Sequence, residues 1–191
     1  MTSPSSIRSS LVLIGLRGCG KSTLAKLIVK QFPIHRSVDL DDVVKQRMGA
    51  VTIADAWRDH GEDVFRSHER DALAELLLES NLVLALGGGT PTAPGAADLL
   101  RAAQSAGRCC IIYIYGDAGL LRQRVLASGT ADRPALVGQN PLDEIDQVLS
   151  ARDPLYRSLA CEMVMADQPI EELVSQIVDI WHAWDRAISS A

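Results

Sequence analysis

A nine-residue segment with three glycines, a lysine and two hydroxyl side chains carries the clearest chemistry in this 191-residue chain. It reads GLRGCGKST and covers residues 15–23. Its glycines, Gly18 and Gly20 among them, let backbone N–H groups point at an anion. Lys21 supplies a positive charge for the β- and γ-phosphates of a nucleotide, and Ser22 supplies a hydroxyl ligand for Mg²⁺. The segment therefore predicts a site for a nucleoside triphosphate with its Mg²⁺.

Two carboxylates separated by one residue, Asp39 and Asp41, follow the second predicted strand. In an extended chain both side chains lie on one side. One of them could orient a water on Mg²⁺ while the other faces a substrate hydroxyl, because a nucleotide loop needs acidic partners for its metal. The alternative is that Asp41 or Asp42 caps a helix over residues 43–48, and Asp42 is the favoured cap.

Three arginines are candidates for binding anions. Arg66 precedes Glu69 at helical i, i+3 spacing, so the carboxylate can hold the guanidinium group ready for a bidentate carboxylate ligand. Arg133 lies in a segment rich in Gly, Ala, Asp and Pro, where a lid arginine could close onto phosphates. Arg152 could reach an anionic group of the substrate. A solvated surface charge is the alternative for each, and spacing alone leaves it open.

Three consecutive glycines, Gly87, Gly88 and Gly89, directly follow another predicted strand. Glycine allows the backbone to approach a ligand closely or to adopt positive φ. A purely structural loop seldom needs three glycines in a row. We therefore predict that this run forms one wall of a ligand site.

The segments that must position these groups alternate between apolar runs and amphipathic helical patterns. Strands are predicted at residues 11–14, 34–38, 82–86, 109–115 and 161–165, and helices at 24–31, 43–48, 63–78, 120–126, 142–149 and 170–188. The alternation predicts an α/β fold with a mostly parallel sheet, in which ligands bind where strands end. Two inserts interrupt it, at about residues 50–80 and 127–141. In a phosphoryl-transfer enzyme such inserts would serve as a substrate-binding flap and a lid.

Composition narrows the possible classes of protein. A chain of 191 residues suits one well-buried core, so we expect a single domain with its core over residues 10–191. The net charge of −5 argues against a nucleic-acid partner, which calls for a basic face. Apolar runs are too short to span a bilayer, and the polar first ten residues do not resemble a secretory signal. The four cysteines lack metal-ligand spacing, which favours buried thiols in a reducing, cytoplasmic setting.

Together these segments are similar to the shikimate kinases, from about residue 11 to the last helix. The shared motifs are GLRGCGKST at 15–23, DLD at 39–41, GEDVFRSHE at 61–69, GGG at 87–89, RP at 133–134 and RDPLY at 152–156. The first motif is generic to phosphate-binding loops, whereas the combination of the other five is specific. The resemblance implies a three-layer P-loop kinase fold with a five-stranded parallel sheet, a helical substrate-binding insert and a lid.

The resemblance also implies a reaction and roles for individual residues. Members of the family transfer the γ-phosphoryl group of ATP to the 3-hydroxyl of shikimate, a step of aromatic amino-acid biosynthesis, and are commonly monomeric. The ATP site would comprise Gly18, Cys19, Gly20, Lys21, Ser22, Thr23, Arg124 and Arg133. The shikimate site would comprise Asp41, Arg66, Gly87, Gly88, Gly89 and Arg152. Catalysis would depend on Lys21, Asp41 and Arg133. Mg²⁺ would be held by Ser22 and, through water, by Asp39. The loop at 167–169 falls where the family lines its adenine pocket, although its residues match poorly.

Other functions share parts of this pattern. A kinase for another small hydroxy acid, such as gluconate, would use the same phosphate loop but does not, as a rule, combine the triple glycine with GExxFR. A switch-type GTPase needs an Asn-Lys-x-Asp motif, and neither Asn81 nor Asn140 precedes a lysine, so that class is excluded. A nucleotide-binding paralogue without turnover is disfavoured because every expected catalytic position is filled. Arg17 and Cys19 depart from the family pattern, which more often has an apolar and a small residue there.

Overall fold

The structure is a computed structural model that describes residues 7, 9–128 and 144–190. Five strands and eight α-helices alternate through these residues. The strands are β1 (Ser10–Ile14), β2 (Arg36–Asp39), β3 (Leu82–Ala85), β4 (Cys109–Tyr115) and β5 (Glu162–Met165). The helices are α1 (Lys21–Ile28), α2 (Leu40–Met48), α3 (Ile53–His60), α4 (Glu62–Leu76), α5 (Ala96–Ser105), α6 (Ala118–Ser128), α7 (Ile145–Leu159) and α8 (Ile170–Ser189).

The strands form one parallel sheet in the order β2-β3-β1-β4-β5. β1 is central, and its Leu11 pairs with Val83 on one side and Cys110 on the other. β1 and β3 are buried throughout and β4 almost throughout, as a parallel sheet covered by helices on both faces requires. Helices α1 and α8 pack together against the sheet, and α5 packs between α4 and α7. The predicted three-layer α/β fold with five parallel strands is confirmed.

Helix α2 begins earlier than the sequence indicated, and the prediction of its cap is wrong. Asp39, rather than Asp42, is the N-cap residue, and its Oδ1 accepts a hydrogen bond of 3.0 Å from the backbone N–H of Asp41. Asp39 has the extended backbone that an N-cap needs, with φ −100° and ψ 120°, because it is also the last residue of β2. The chain thus passes from strand to helix without a loop.

Three other helix assignments from sequence need correction. Helix α5 was not predicted at all. Helix α7 continues through Pro154 to Leu159, well past the predicted end at residue 149. Helix α6 extends to Ser128, so the second insert does not begin at residue 127. The rest of that insert, including Arg133, lies outside the described residues.

Helix α8 buries an aromatic side chain against the segment that joins α1 to β2. The Trp181 ring lies 5.2 Å from the Phe32 ring and 5.0 Å from the His35 ring, measured between centroids. His35 is buried, and neither of its ring nitrogens has a hydrogen-bond partner. Burial lowers the pKa of His35 below its ordinary value of 6.5. No helix in the described part of the chain combines the length and the apolar character needed to cross a bilayer.

Candidate active site

Two adjoining cavities open where β1, β2 and β3 end. The phosphate cavity is lined by residues 17–24 together with Asp39, Asp41, Leu86, Arg124, Val125, Gln168, Ile170 and Leu173. The arginine cavity is lined by Leu16, Arg17, Asp41, Ile53, Trp57, Phe65, Arg66, Glu69, Gly87, Gly88, Gly89, Glu144, Ile145, Val148 and Arg152. Arg17 and Asp41 line both cavities, so these two residues mark the boundary between them.

The loop between β1 and α1 forms the floor of the phosphate cavity. Gly18 and Gly20 have φ values of 83° and 102°, a region that favours glycine. Lys21 opens helix α1, is only 7% exposed, and donates from Nζ to the carbonyl oxygens of Gly15 at 2.8 Å and Leu16 at 2.9 Å. The positive end of the α1 dipole lies at the same place. The loop therefore combines an ammonium group and a helix N-terminus, as an anion site requires.

Cys19 and Thr23 complete the part of the loop that lines the phosphate cavity. Cys19 is 1% exposed, and its Sγ lies 3.5 Å from the ammonium nitrogen of Lys21. The thiol is thus a buried neighbour of the lysine.

A hydroxyl and a carboxylate meet at the edge of the phosphate cavity. The Ser22 hydroxyl donates a hydrogen bond to Asp39 Oδ2. Both groups are hard oxygen donors, which suits Mg²⁺, an ion that usually keeps waters and phosphate oxygens as its other ligands. Within the described residues, no group of three or more His, Cys, Asp or Glu side chains is arranged to hold a metal alone. The Ser22–Asp39 pair therefore fits a metal that arrives with a nucleotide.

Asp39 and Asp41 do not lie side by side on an extended strand, as the spacing suggested. Asp39 ends β2, whereas Asp41 lies in the first turn of α2 and is 5% exposed. The turn directs Asp41 to the boundary of the two cavities, while Asp39 lines the phosphate cavity alone. The two carboxylates thus differ in backbone position and in the cavities that they line.

The planar guanidinium group of Arg66 is held by contacts to its edge and to its face. Its Nη1 donates to Glu69 Oε2 at 2.7 Å, which confirms the predicted i, i+3 pair. Glu69 is 1% exposed, and its other oxygen accepts from the Thr90 hydroxyl at 2.5 Å. The guanidinium carbon lies 5.4 Å from the centre of the Trp57 ring, within the range of a cation–π contact. These contacts fix the guanidinium group at the wall of the arginine cavity.

Arg152, on α7, reaches the same cavity from the opposite side. Its Nη1 donates to the Gly88 carbonyl at 2.8 Å, and the Tyr156 hydroxyl donates to the same oxygen. Burial raises the pKa of Tyr156 to about 12, so this hydroxyl keeps its proton at neutral pH. Two guanidinium groups, Arg66 and Arg152, therefore line one cavity although they are distant in sequence.

The glycine run at residues 87–89 is explained by close approach and not by positive φ. A Cβ on the first glycine would overlap Asp41 Oδ1. A Cβ on the second would lie 3.1 Å from the Arg17 backbone N, and one on the third 2.7 Å from Arg66 Nη1. Real Cβ atoms essentially never show contacts under 3.0 Å, so a side chain at the first or third glycine would make Asp41 or Arg66 move. The run thus lies in close contact with the side chains of Asp41 and Arg66 and with the backbone of Arg17.

The far end of the phosphate cavity contains Arg124. Its Nη2 donates to the Ala166 carbonyl at 2.8 Å, and its Nη1 approaches the Cys19 carbonyl at 3.4 Å. Gln168, from the loop at 167–169, lines the cavity nearby. The family resemblance assigns these residues to the adenine pocket, and that assignment stays a prediction.

Sequence reasoning missed the ion pair of Arg17 and Glu144 and the hydrogen bond from Thr90. Arg17 lies inside the phosphate loop, but such loops bind phosphate through their backbone N–H groups. The sequence therefore provides no reason to assign a role to the Arg17 side chain. Glu144 follows an insert without helical periodicity, and no local pattern marks it.

Comparison with known proteins agrees with this geometry. The family described as "SKI: Shikimate kinase" matches residues 17–181. The shikimate kinase of Thermus thermophilus is 32% identical over 172 residues, which is 90% of this chain and 89% of that protein. The shikimate kinase of Rhodopirellula baltica is 35% identical over 171 residues, 88% of each chain.

Solved structures show the same relationship. Shikimate kinase from Acinetobacter baumannii in complex with shikimate superposes with a TM-score of 0.82 and 28% identity, covering 94% of this chain and 95% of that one. A gluconokinase from Sinorhizobium meliloti, with a TM-score of 0.60 and 17% identity, shares the fold alone. The family match over most of the chain and relatives above 30% identity lead to one conclusion: the chain belongs to the shikimate kinase family.

Proposed function

We propose that this chain transfers the γ-phosphoryl group of ATP to the 3-hydroxyl of shikimate, giving shikimate 3-phosphate and ADP. The observation that carries the proposal is the meeting of a phosphate loop and a two-arginine cavity at Asp41, which lines both. Shikimate is a ring triol with one carboxylate. It therefore needs cations for its carboxylate and an acidic group for its hydroxyls, and the arginine cavity is lined by both: Arg66 and Arg152, and Asp41.

The arginine cavity would orient the acceptor. Arg66 and Arg152 bind the carboxylate, since each has a guanidinium group held at the cavity wall by neighbouring carboxylate or carbonyl oxygens. Asp41 accepts a hydrogen bond from the attacking hydroxyl and directs its oxygen toward the phosphate cavity. The backbone of Gly88 lies beside the ring. Phosphoryl transfer has a loose transition state, so this positioning matters more than a strong base.

The phosphate cavity would bind the donor. Lys21 and the N-terminus of α1 face the β- and γ-phosphates, and Arg124 lies beside the adenine. Ser22, together with Asp39 acting through water, would hold Mg²⁺. A bound Mg²⁺ neutralises part of the negative charge on the phosphates. We assign Arg133 to the phosphates as well, by the family resemblance alone.

The remaining parts of the proposal concern organisation. We propose that residues 1–191 form one domain, that the insert at about 50–80 binds shikimate, and that the second insert, from the end of α6 to about residue 141, acts as the lid. We expect the enzyme to work as a monomer in the cytosol, on ATP and shikimate and not on nucleic acid or membranes. Gel filtration with light scattering tests the oligomeric state directly.

A coupled assay of ADP release, with shikimate, quinate and gluconate compared side by side, tests the reaction. We expect turnover with shikimate, and mass spectrometry should detect shikimate 3-phosphate. A higher kcat/KM for gluconate would refute the assignment of substrate. Absence of turnover with every acceptor would favour a paralogue that only binds nucleotide.

Two variants test the division of labour between the cavities. Arg66→Ala should raise the KM for shikimate by roughly 10- to 100-fold, because one charge-assisted contact to the carboxylate is lost. Lys21→Ala should mainly depress kcat, by roughly 100-fold or more. Arg101→Ala, at a half-exposed position on α5, is the control. If Arg66→Ala left shikimate affinity unchanged, the proposed carboxylate pocket would be wrong.

A further inference from the structure

The side chain of Arg17 lies where the two cavities meet. It belongs to the phosphate loop, yet it lines the arginine cavity as well. Its Nη2 donates to Glu144 Oε1 at 2.6 Å, and the two side chains are 15% and 2% exposed. Its backbone N faces the glycine run, 3.1 Å from where a Cβ of Gly88 would be. Its guanidinium group is thus a cation held at the boundary between the phosphate cavity and the arginine cavity.

A buried ion pair at this position is not explained by stability. Removing a guanidinium group and a carboxylate from water costs several kcal/mol, and apolar side chains of similar size often stabilise a fold equally well. The phosphate loop binds through its backbone N–H groups and needs no charge at this residue. The charge is therefore best explained by a ligand that places negative charge beside it.

In the proposed reaction, the group that carries negative charge across the boundary between the two cavities is the phosphoryl group itself. During transfer, the bond between shikimate O3 and the γ-phosphorus forms while the bond from that phosphorus to the β–γ bridging oxygen breaks. ADP leaves with the bridging oxygen, and the hydroxyl proton is released to solvent. Negative charge is then spread over three equatorial oxygens of the moving group. Lys21 lines the phosphate cavity alone, whereas Arg17 lines the arginine cavity as well.

We propose that Arg17 is a further catalytic residue, whose guanidinium group contacts the phosphoryl group during its transfer, and that Glu144 is the positioning residue that holds it there. This inference rests on the proposed function. A guanidinium fork has five N–H donors, so binding to phosphoryl oxygens is compatible with the hydrogen bond to Glu144. The Arg17 guanidinium group could also contact the 3-phosphate of the product, which would lie on the arginine-cavity side of the boundary. Arg17 therefore distinguishes phosphorylated from unphosphorylated acceptor.

Four variants test this role. Arg17→Met keeps length without charge, Arg17→Lys keeps charge without the fork, Glu144→Gln removes the holding carboxylate, and Arg101→Met is the control at a half-exposed ion pair. The measurements are kcat, the KM of each substrate, the Kd of shikimate and of shikimate 3-phosphate, and the urea midpoint.

The expected result is a lower kcat together with weaker binding of the product. Arg17→Met should lower kcat by at least about tenfold, since loss of one preorganised donor costs roughly 100-fold or more in well-studied sites. The KM for shikimate should change less than about threefold, and affinity for shikimate 3-phosphate should fall more than affinity for shikimate. Arg17→Lys should be intermediate. Glu144→Gln should lower kcat, and the double variant with Arg17→Met should be no slower than Arg17→Met alone.

A purely structural clamp predicts different numbers. In that case Arg17→Met and Glu144→Gln lower the urea midpoint but leave kcat within about twofold of the wild type, or weaken shikimate and its 3-phosphate equally. Either result overturns the inference while wild type and Arg101→Met still phosphorylate shikimate. If wild type and Arg101→Met also fail to phosphorylate shikimate, the proposed function is overturned and this role for Arg17 with it.

Discussion

The buried carboxylate of Glu69 offers the sharpest test of how the arginine cavity is organised. Its two oxygens accept hydrogen bonds from Arg66 Nη1 at 2.7 Å and from the Thr90 hydroxyl at 2.5 Å. The substitution Glu69→Gln keeps the shape of the side chain and removes its charge. It leaves one acceptor oxygen for two donors, so one donor in a nearly dry environment loses its partner.

The expected loss of unfolding free energy follows from how deeply Glu69 and Arg66 are each buried. Breaking a fully buried ion pair by removing one partner costs about 3–5 kcal/mol. The Arg66 side chain keeps 16% of its exposure and a second contact of 3.3 Å to Glu62, which reduces the cost. A lost charge-assisted hydrogen bond is worth about 1.5–3 kcal/mol. We therefore expect Glu69→Gln to lower the free energy of unfolding by about 2–3 kcal/mol.

The same change should weaken acceptor binding. Without Glu69, Arg66 gains freedom to leave the cavity wall, and small misplacements of a positioning group are costly. We expect the KM for shikimate to rise about tenfold while kcat falls less than about threefold. Urea denaturation and steady-state kinetics on the same preparations provide both numbers. Glu62→Gln is the matched control, because Glu62 also contacts Arg66 but its side chain is 54% exposed.

A double-mutant cycle isolates the pair from other effects. Glu69→Gln combined with Arg66→Met should show a coupling free energy above about 1.5 kcal/mol, whereas Glu62→Gln with Arg66→Met should show less than about 0.5 kcal/mol. If both couplings were the same and small, the buried carboxylate would not be what positions Arg66. That result would refute a positioning role for Glu69.

Two predictions concern groups outside the site. The pKa of His35 is lowered by burial, so the unfolded chain binds a proton below pH 6.5 that the folded chain does not. The contribution of neutral His35 to the free energy of unfolding should therefore be fully present above pH 6.5. Below that pH the free energy of unfolding should fall by up to about 1.4 kcal/mol per pH unit. Urea titrations at about pH 7.5 and 5.5 measure this dependence, which should be smaller in His35→Leu. The Sγ atoms of Cys110 and Cys161 lie 3.1 Å apart, and a hydrogen bond from Cys110 lowers the pKa of Cys161. Iodoacetamide at neutral pH should therefore label Cys161 first, by peptide mass spectrometry, and earlier labelling of Cys110 would contradict the assignment.

The parts of the fold that could be predicted from sequence are those whose causes are local. The phosphate loop is one continuous segment, so its glycines, its lysine and its flanking strand and helix are visible together. β1, β3 and β4 are buried nearly throughout and appear as apolar runs, which fixed their bounds to within a residue. β2 is an edge strand with mixed exposure, and its predicted bounds of 34–38 began two residues early and ended one residue early, whereas the bounds of the other edge strand, β5, were also predicted to within a residue. Helix α5 is rich in alanine, so its apolar stripe has little contrast.

The contacts that organise the site could not be predicted, because they join distant segments. Arg17 and Glu144 are 127 positions apart, and nothing near Glu144 indicates a partner in the phosphate loop. The choice of helix cap was wrong for a related reason. Three aspartates stand within four residues, and only Asp39 has the extended backbone of a cap. The roles of Arg66 and Arg152 were open from spacing, and only the family resemblance assigned them.

The order of the strands explains why the glycine run lies between the functional side chains. β3 is inserted between β1, which carries the phosphate loop, and β2, which ends at Asp39, so Ala85 pairs with both Leu13 and Asp39. The chain leaving β3 must therefore pass between the phosphate loop and the start of α2. A side chain there would push against Asp41 on one side and Arg17 on the other. Without side chains, the run lets Asp41 and the backbone of Arg17 approach it closely, and these are the two residues that line both cavities. Such close spacing of the donor and acceptor cavities suits direct phosphoryl transfer.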